Sequence, residues 1–298
     1  MTPEGQRQGF PALEGFLDRR DRRTVVAHVP ELILPLFAGV LVRTSERLTW
    51  VVTGTMEEAK ELTASLTTGR ATPTPMIPDA CWLPPLAWNP YQEFGDHDVR
   101  VIRHLATLYR LYNDPPRIVV TDAATLATRT LPRRLFEDLT VTISIGDVVD
   151  RDDFAKSLIQ AGYRRAELVI EPGQFAVRGG IVDVFPPHQA RPGRVDLFGD
   201  EVERITGFNP STQRSRGRLD RLHCPPASAF VFPRAQVEEV EERVRDLAEQ
   251  CEVPSLRLAA HIEDVRTGNL GWSALGFLPA VYEEFGPVSD LVDSTVRV

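Results

Sequence analysis

Apolar and polar positions alternate most regularly between Glu171 and Ile205, in EPGQFAVRGGIVDVFPPHQARPGRVDLFGDEVERI. The runs QFAVR and IVDVF are separated by Gly179-Gly180, and RVDLF and EVERI by Gly199-Asp200. Two-residue Gly-Gly and Gly-Asp connections suit the primed turns that match strand twist, so the pattern predicts two antiparallel β-hairpins in tandem. A two-residue loop pairs Arg178 with Ile181, Val177 with Val182 and Phe175 with Val184. Phe175, Val177, Val182 and Val184 then share an apolar face, and Ala176, Arg178, Ile181, Asp183 and Phe185 lie opposite. In the second hairpin Val195, Leu197 and Val202 point inward, and Arg194, Asp196, Phe198, Glu201 and Glu203 outward. The outward mixture of charge and large apolar groups marks a candidate contact surface, although a solvated face carrying ion pairs fits the same pattern.

The flanking chain has other periods. Thr24–Val29 and Leu48–Thr53 read as buried strands, with a helix from Met56 to Leu66. Repeated prolines break the aromatic-rich stretch from Pro73 to Pro90. Between Asp96 and Tyr112, Val99, Ile102, Ala106 and Tyr109 form one helical stripe, and the strand RIVVT leads to Asp122, a helix N-cap. This βα alternation predicts a parallel sheet. After Pro132 come a strand at Leu139–Ile145 and a helix capped by Asp150 that stops near Gly162. With the hairpins they make an α+β unit of about 80 residues. Beyond Arg218, a helix over Ala235–Gln250 has Val237, Val240, Val244 and Leu247 inward, while Glu238, Glu239, Glu241 and Glu242 crowd its positive end. The expected organisation is therefore α/β residues 1–136, an α+β insertion at 137–218, and a return to the first unit at 219–298.

Composition narrows the function classes. The 298 residues are 42% hydrophobic and 26% charged, an ordinary globular balance. No run is long and apolar enough to span a bilayer, and the N-terminus lacks a signal pattern, so a cytoplasmic setting is expected. A monomer is expected as well. Cys81, Cys224 and Cys251 are far apart and make neither a disulfide framework nor a zinc motif. The net charge of −8 argues against a nucleic-acid coat protein. It is uneven, with 11 basic and 9 acidic residues in 151–218 but 7 and 14 in 219–298. Neither Lys60 nor Lys156 sits in GxxxxGK[ST], and HVPELILPLFAG has no glycine where a phosphate would rest, so no nucleotide cofactor is expected. GDEVE at 199–203 falls in a hairpin rather than after a buried strand, and the six histidines form no metal-spaced pair. Catalytic residues, cofactor and metal are all expected to be absent.

AGYRRAELVIEPGQFAVRGGIVDVFPP followed by RPGRVDLFGDEVERITGFNPSTQRS resembles the UvrB-like module shared by the excision-repair protein UvrB and the bacterial transcription-repair coupling factor Mfd. LAWNPYQEFGDHDVRVIRHLATLYRL and GWSALGFLPAVYEEFGPVSDLV are similar to flanking Mfd segments, and the lost phosphate loop favours Mfd over UvrB. The resemblance implies an α/β fold in which a split, degenerate P-loop-NTPase-like domain carries an inserted UvrA-binding domain. It implies UvrA as partner, with contacts mapping onto Arg165 with Arg164, Arg178 and Glu201. Ile181 and Phe185 join them from the face analysis. Ala176 stands where UvrB has a further arginine, which implies weaker binding. Contact with other domains of a longer protein is implied too, with RNA polymerase and DNA reached through regions beyond this chain and the motor lying there as well. A UvrB-like nucleotide-dependent enzyme and a direct DNA-binding module are the rival readings. On the leading one, Arg178→Glu is expected to abolish UvrA binding, measured by calorimetry, with the fold intact.

Overall fold

The computed structural model describes residues 48–68, 77, 79–86, 99–232, 234–267, 277–282 and 286–291. The strand expected at Thr24–Val29, the segment HVPELILPLFAG and the region of the chain from 87 to 98 lie outside the described residues.

Among the described residues the first unit is built on a three-stranded parallel sheet. Strands β1 (Thr49–Thr53), β2 (Cys81–Trp82) and β3 (Ile118–Asp122) take the order β1-β3-β2, with β3 central and buried throughout. Helix α1 (Met56–Thr68) follows β1 after two residues, and its start is a reciprocal cap. Glu58 Oε2 accepts from the amides of Gly54 and Thr55 at 3.0 and 3.1 Å, while Thr55 Oγ1 accepts from Glu58 N at 3.2 Å. One short motif thus satisfies backbone donors that the first turn would otherwise leave unpaired. Asp122 caps α3 (Ala123–Ala127) as expected, accepting from Thr125 N at 3.0 Å.

Helix α2 (Val99–Asn113) lays Val101, Leu105 and Leu108 on the core. It also buries His104 completely. A carbonyl can only accept, so Nδ1–H of His104 donates to Pro84 O at 2.7 Å and Nε2 accepts the Thr130 hydroxyl at 2.8 Å. One side chain therefore ties three segments together.

The second unit follows α4 (Arg133–Leu139) and opens with β4 (Val141–Ser144) and α5 (Arg151–Gln160), whose Asp150 cap accepts from Asp152 N and Asp153 N. The expected hairpins form, but they are fused into one sheet. Strands β5 (Arg164–Arg165), β6 (Gln174–Arg178), β7 (Ile181–Val184), β8 (Gly193–Phe198), β9 (Glu201–Phe208) and β10 (Ser215–Leu219) lie side by side in chain order. The first hairpin has the expected register, Arg178 opposite Ile181 and Phe175 opposite Val184. Gly179 has φ +59° and Gly199 φ +63°, the left-handed first position of a type II′ turn. Gly180 is required for a different reason: a Cβ there would stand 2.7 Å from the Leu197 carbonyl oxygen of the neighbouring strand.

The second hairpin departs from strict alternation. Its register shifts between Asp196 and Leu197, so Asp196 faces Arg204 while Leu197 faces Val202. The bulge puts two consecutive residues, Glu203 and Arg204, outward and returns Ile205 to the core beside Val202. Phe154 and Leu158 of α5 pack on this inner face with Phe175, Val182, Val184 and Val195.

Strand β11 (Arg221–Cys224), expected to belong to the returning first unit, instead pairs antiparallel with β4, Val141 opposite Cys224. Leu222 and Cys224 are thereby delivered to the second core. The chain then returns. Helix α6 (Val237–Gln250) buries Val240, Val244 and Ala248 as its stripe requires and packs on α7 (Ser255–Thr267) and α8 (Leu278–Val281). Glu241 is not the exposed dipole partner expected. It is buried and accepts from Arg266 Nε at 2.9 Å and from Arg245 one turn on, which holds its carboxyl below the usual range, the Arg266 hydrogen bond contributing most. Among the described residues no helix is long and apolar enough to cross a membrane.

Burial of His104 pushes its imidazole down to about 4. The unfolded chain binds that proton below about pH 6.5, so the stability from this site is complete above that value and is lost as pH falls towards 4. Urea unfolding at pH 7.5 and 5.0 should show a loss of about 2 kcal/mol attributable to this group. His104→Asn, which can still donate to Pro84, should flatten that part of the pH dependence; an unchanged slope would contradict it.

Candidate functional site

The outward face of the six-stranded sheet is organised by one carboxylate. Cross-strand pairing aligns Ala176, Asp183, Arg194 and Thr206 in a row across β6 to β9. Asp183 is fully buried in that row although it is on the face away from the main core. Its cost is offset by a fork: Arg194 Nε donates to Oδ1 at 2.7 Å and Nη2 to Oδ2 at 2.9 Å. Arg178 Nη2 adds a third charged donor to Oδ2 at 2.5 Å. The Arg194 guanidinium also lies over the Phe208 ring, 4.7 Å from its centroid, and the carboxylate keeps it protonated.

Phe208 belongs to a small second cluster with Val169, Ala176 and Phe185. The segment 166–170 covers that part of the face, and Phe185 is only 6% exposed. The expected apolar contact residue Phe185 is therefore enclosed, because its backbone closes onto Gln174 and Gly173 beneath this segment. Its contribution to a contact surface is limited to the shape of the segment above it.

The other half of the face is open. Here the row is Arg178, Ile181, Asp196 and Arg204, with Arg204 Nε on Asp196 at 2.8 Å. Arg178 is half-exposed, its guanidinium held by Asp183 on one side and open to solvent on the other. At the hairpin tip Phe198 pairs with Glu201, and Glu201 is bridged in turn to Val148. Phe198 is 79% and Val148 80% exposed, so two apolar groups flank one carboxylate. The tip is fixed by Val149 N to Asp200 O at 2.8 Å, Gly146 N to Val202 O at 2.9 Å and Val202 N to Asp147 O at 2.9 Å. Arg151 Nη1 fixes the first hairpin similarly, donating to Gly179 O at 3.1 Å.

The structure thus brings Arg178, Ile181 and Glu201 to one open strip. Arg164 and Arg165 are exposed on β5, the sheet edge beyond β6, where Arg164 pairs with Gln174 and Arg165 with Phe175. Alternation puts Phe198 outward but does not distinguish it from its neighbours, and Val148 carries no sequence signal because its pairing is long-range. GDEVE forms the expected hairpin, and among the described residues no group of His, Cys, Asp and Glu could hold a metal. The geometry offers shape, charge and apolar contact. Arg178→Glu would bring a second carboxylate beside buried Asp183, so a loss of stability is expected with it.

Residues 141–230 match the family model described as the UvrB interaction domain. The chain is similar to the transcription-repair-coupling factor of Myxococcus xanthus, 30% identical over 197 residues, covering 65% of this chain and 16% of that protein. It is 29% identical over 215 residues to the transcription-repair-coupling factor of Escherichia coli, covering 69% of this chain and 18% of that protein. It is also 32% identical over 118 residues to UvrABC system protein B of Thermosipho africanus, covering 39% of this chain and 18% of that protein. The matched part is thus about a sixth of the length of these curated relatives.

The carboxylate and its two arginines should respond unequally to truncation. Asp183→Ala leaves two cations facing one another in a closed site and should cost about 3 kcal/mol or more in urea unfolding. Arg178→Ala leaves the Arg194 fork in place and, being half-exposed, should cost about 1 kcal/mol or less. Equal losses would show that Arg178, rather than Arg194, carries the buried charge.

Proposed function

Since the chain is a relative of the transcription-repair-coupling factors and carries a UvrB interaction domain at residues 141–230, we propose that its open strip binds UvrA and recruits it to sites of coupled repair. The observation that carries this reading is the alignment of Arg178, Ile181 and Glu201, with Phe198, on one rigid face within the matched residues. Arg178 meets the partner already oriented by Asp183, so little side-chain freedom is lost on docking. Phe198 supplies the aromatic anchor that a protein interface needs at its centre, and Arg178 and Glu201 supply charges of both signs that fix register. Arg164 and Arg165 extend the contact around the β5 edge, and Phe185 shapes it from beneath.

The module acts by association and performs no chemistry of its own. In this reading the parallel-sheet unit and the helices after residue 233 are two parts of one degenerate P-loop-like domain, and 141–230 is inserted between them. Polymerase contact and a motor would belong to other parts of a longer protein. The setting is cytoplasmic.

Calorimetric titration of UvrA into the 298-residue chain tests the proposal. Arg178→Ala and Phe198→Ser should each weaken binding at least about tenfold, roughly 1.4 kcal/mol, with unfolding curves near the parent's. Rising salt should slow association more than it speeds dissociation. Full affinity in both variants would remove this face from the account.

A further inference from the structure

Apart from Arg164, Arg165 and Arg191, the arginines of residues 141–230 fall into two groups. Arg151, Arg178, Arg194 and Arg204 each meet an aspartate. Arg214, Arg216, Arg218 and Arg221 are exposed and form no salt bridge among the described residues, and they run from just before β10, along it, to the start of β11. From Arg204 to Arg221 the chain holds five arginines and one acidic residue, Asp220, within a protein of net charge −8. The edge is therefore a local reversal of the protein's own field, with its charge uncommitted.

The form of this edge restricts what it can bind. Strand β10 is bulged between Ser215 and Arg218, and Gly217 has φ +81°, so an added strand would not find a regular ladder. The side chains must carry any contact. Among the described residues no exposed large apolar side chain lies in β10 or at Arg221, although Leu168 and Ile170 are exposed in the covering segment, whose Val169 carbonyl accepts from Gln213 beside Arg214. A protein partner would want a buried apolar anchor, and a single strand would want an aromatic platform for its bases. A row of arginines alone suits the phosphates of a duplex, where charge suffices and base sequence is not read.

We propose that the β10 edge binds the phosphate backbone of duplex DNA without sequence preference. Six strands spaced about 4.8 Å apart put it about 24 Å from the β5 edge. The DNA contact uses none of the residues assigned to UvrA, although the strip that carries Glu201 reaches the adjoining strand β9. It would add a DNA contact in this part of the protein to those expected outside it.

Fluorescence anisotropy of a labelled duplex of about 20 base pairs with the 298-residue chain is the test. Neutralising about four phosphates gives a log–log salt slope near −3.6, so affinity should fall about 150-fold between roughly 50 and 200 mM salt. Arg216→Gln should reduce the slope by about 1, and replacing Arg214, Arg216, Arg218 and Arg221 together by Gln should abolish binding with the circular dichroism spectrum unchanged. Arg178→Ala, on the other contact surface, should bind DNA as the parent does. No duplex binding at about 50 mM salt, or binding that survives the fourfold replacement, overturns the proposal. So does preference for polyglutamate of matched charge, which would reassign the edge to an acidic protein segment.

Discussion

A carboxylate cut off from solvent is costly unless charged donors surround it, and Asp183 is surrounded by them. Its two oxygens take a fork from Arg194 and a further donor from Arg178, joining β6, β7 and β8 through side chains as well as through their backbone ladder. The same fork holds the Arg194 guanidinium over Phe208 on β9. Everything on the outward face is arranged around this point. On one side the face is sealed by Val169, Phe185 and Phe208, and on the other it is left open with Arg178 as the boundary residue.

That division explains how a stable sheet can also present a contact surface. The inner face is occupied by α5, and half of the outer face by the segment after β5, so most of the apolar material goes into the fold itself. Among the apolar groups left outside, Ile181, Phe198 and Val148 lie among charges of which Arg178 and Arg204 are held by aspartates. Rigid backbone contacts at both hairpin tips mean that this surface does not need to be assembled by its partner.

The hairpins, their turns and the inward residues of β6 and β7 are legible in the sequence because a period of two and a Gly-Gly turn leave one register. Asp122 and Asp150 are legible as caps for an equally local reason. One failure is local: the helix α2 buries Val101, Leu105 and Leu108 rather than a stripe beginning at Val99, which is exposed. The others are non-local. Phe185 obeys the alternation that puts it outward, yet the segment 166–170, earlier in the chain, covers it. The bulge at Glu203 has no composition of its own, so the inward position of Ile205 is out of phase with strict alternation. Glu241 reads as one of four helix-start acids because Arg266, its partner, comes from another helix. Val148 gains its place beside Glu201 from a single bridge that no pattern records.

The pairing of β4 with β11 has a mechanical meaning. Val141 and Cys224, the first and last residues of the ribbon, stand opposite one another, so the chain enters and leaves the domain close together. Past Cys224 the exit is held further, Tyr163 Oη donating to Pro225 O at 2.9 Å and Ala227 N to Ala161 O at 2.8 Å. A force drawing the two flanking segments apart would therefore meet these clasps as well as the ribbon, and because Ile143, Leu222 and Cys224 lie in the inner core the ribbon could not open without breaching it. A domain fastened in this way resists being drawn out by its own chain ends.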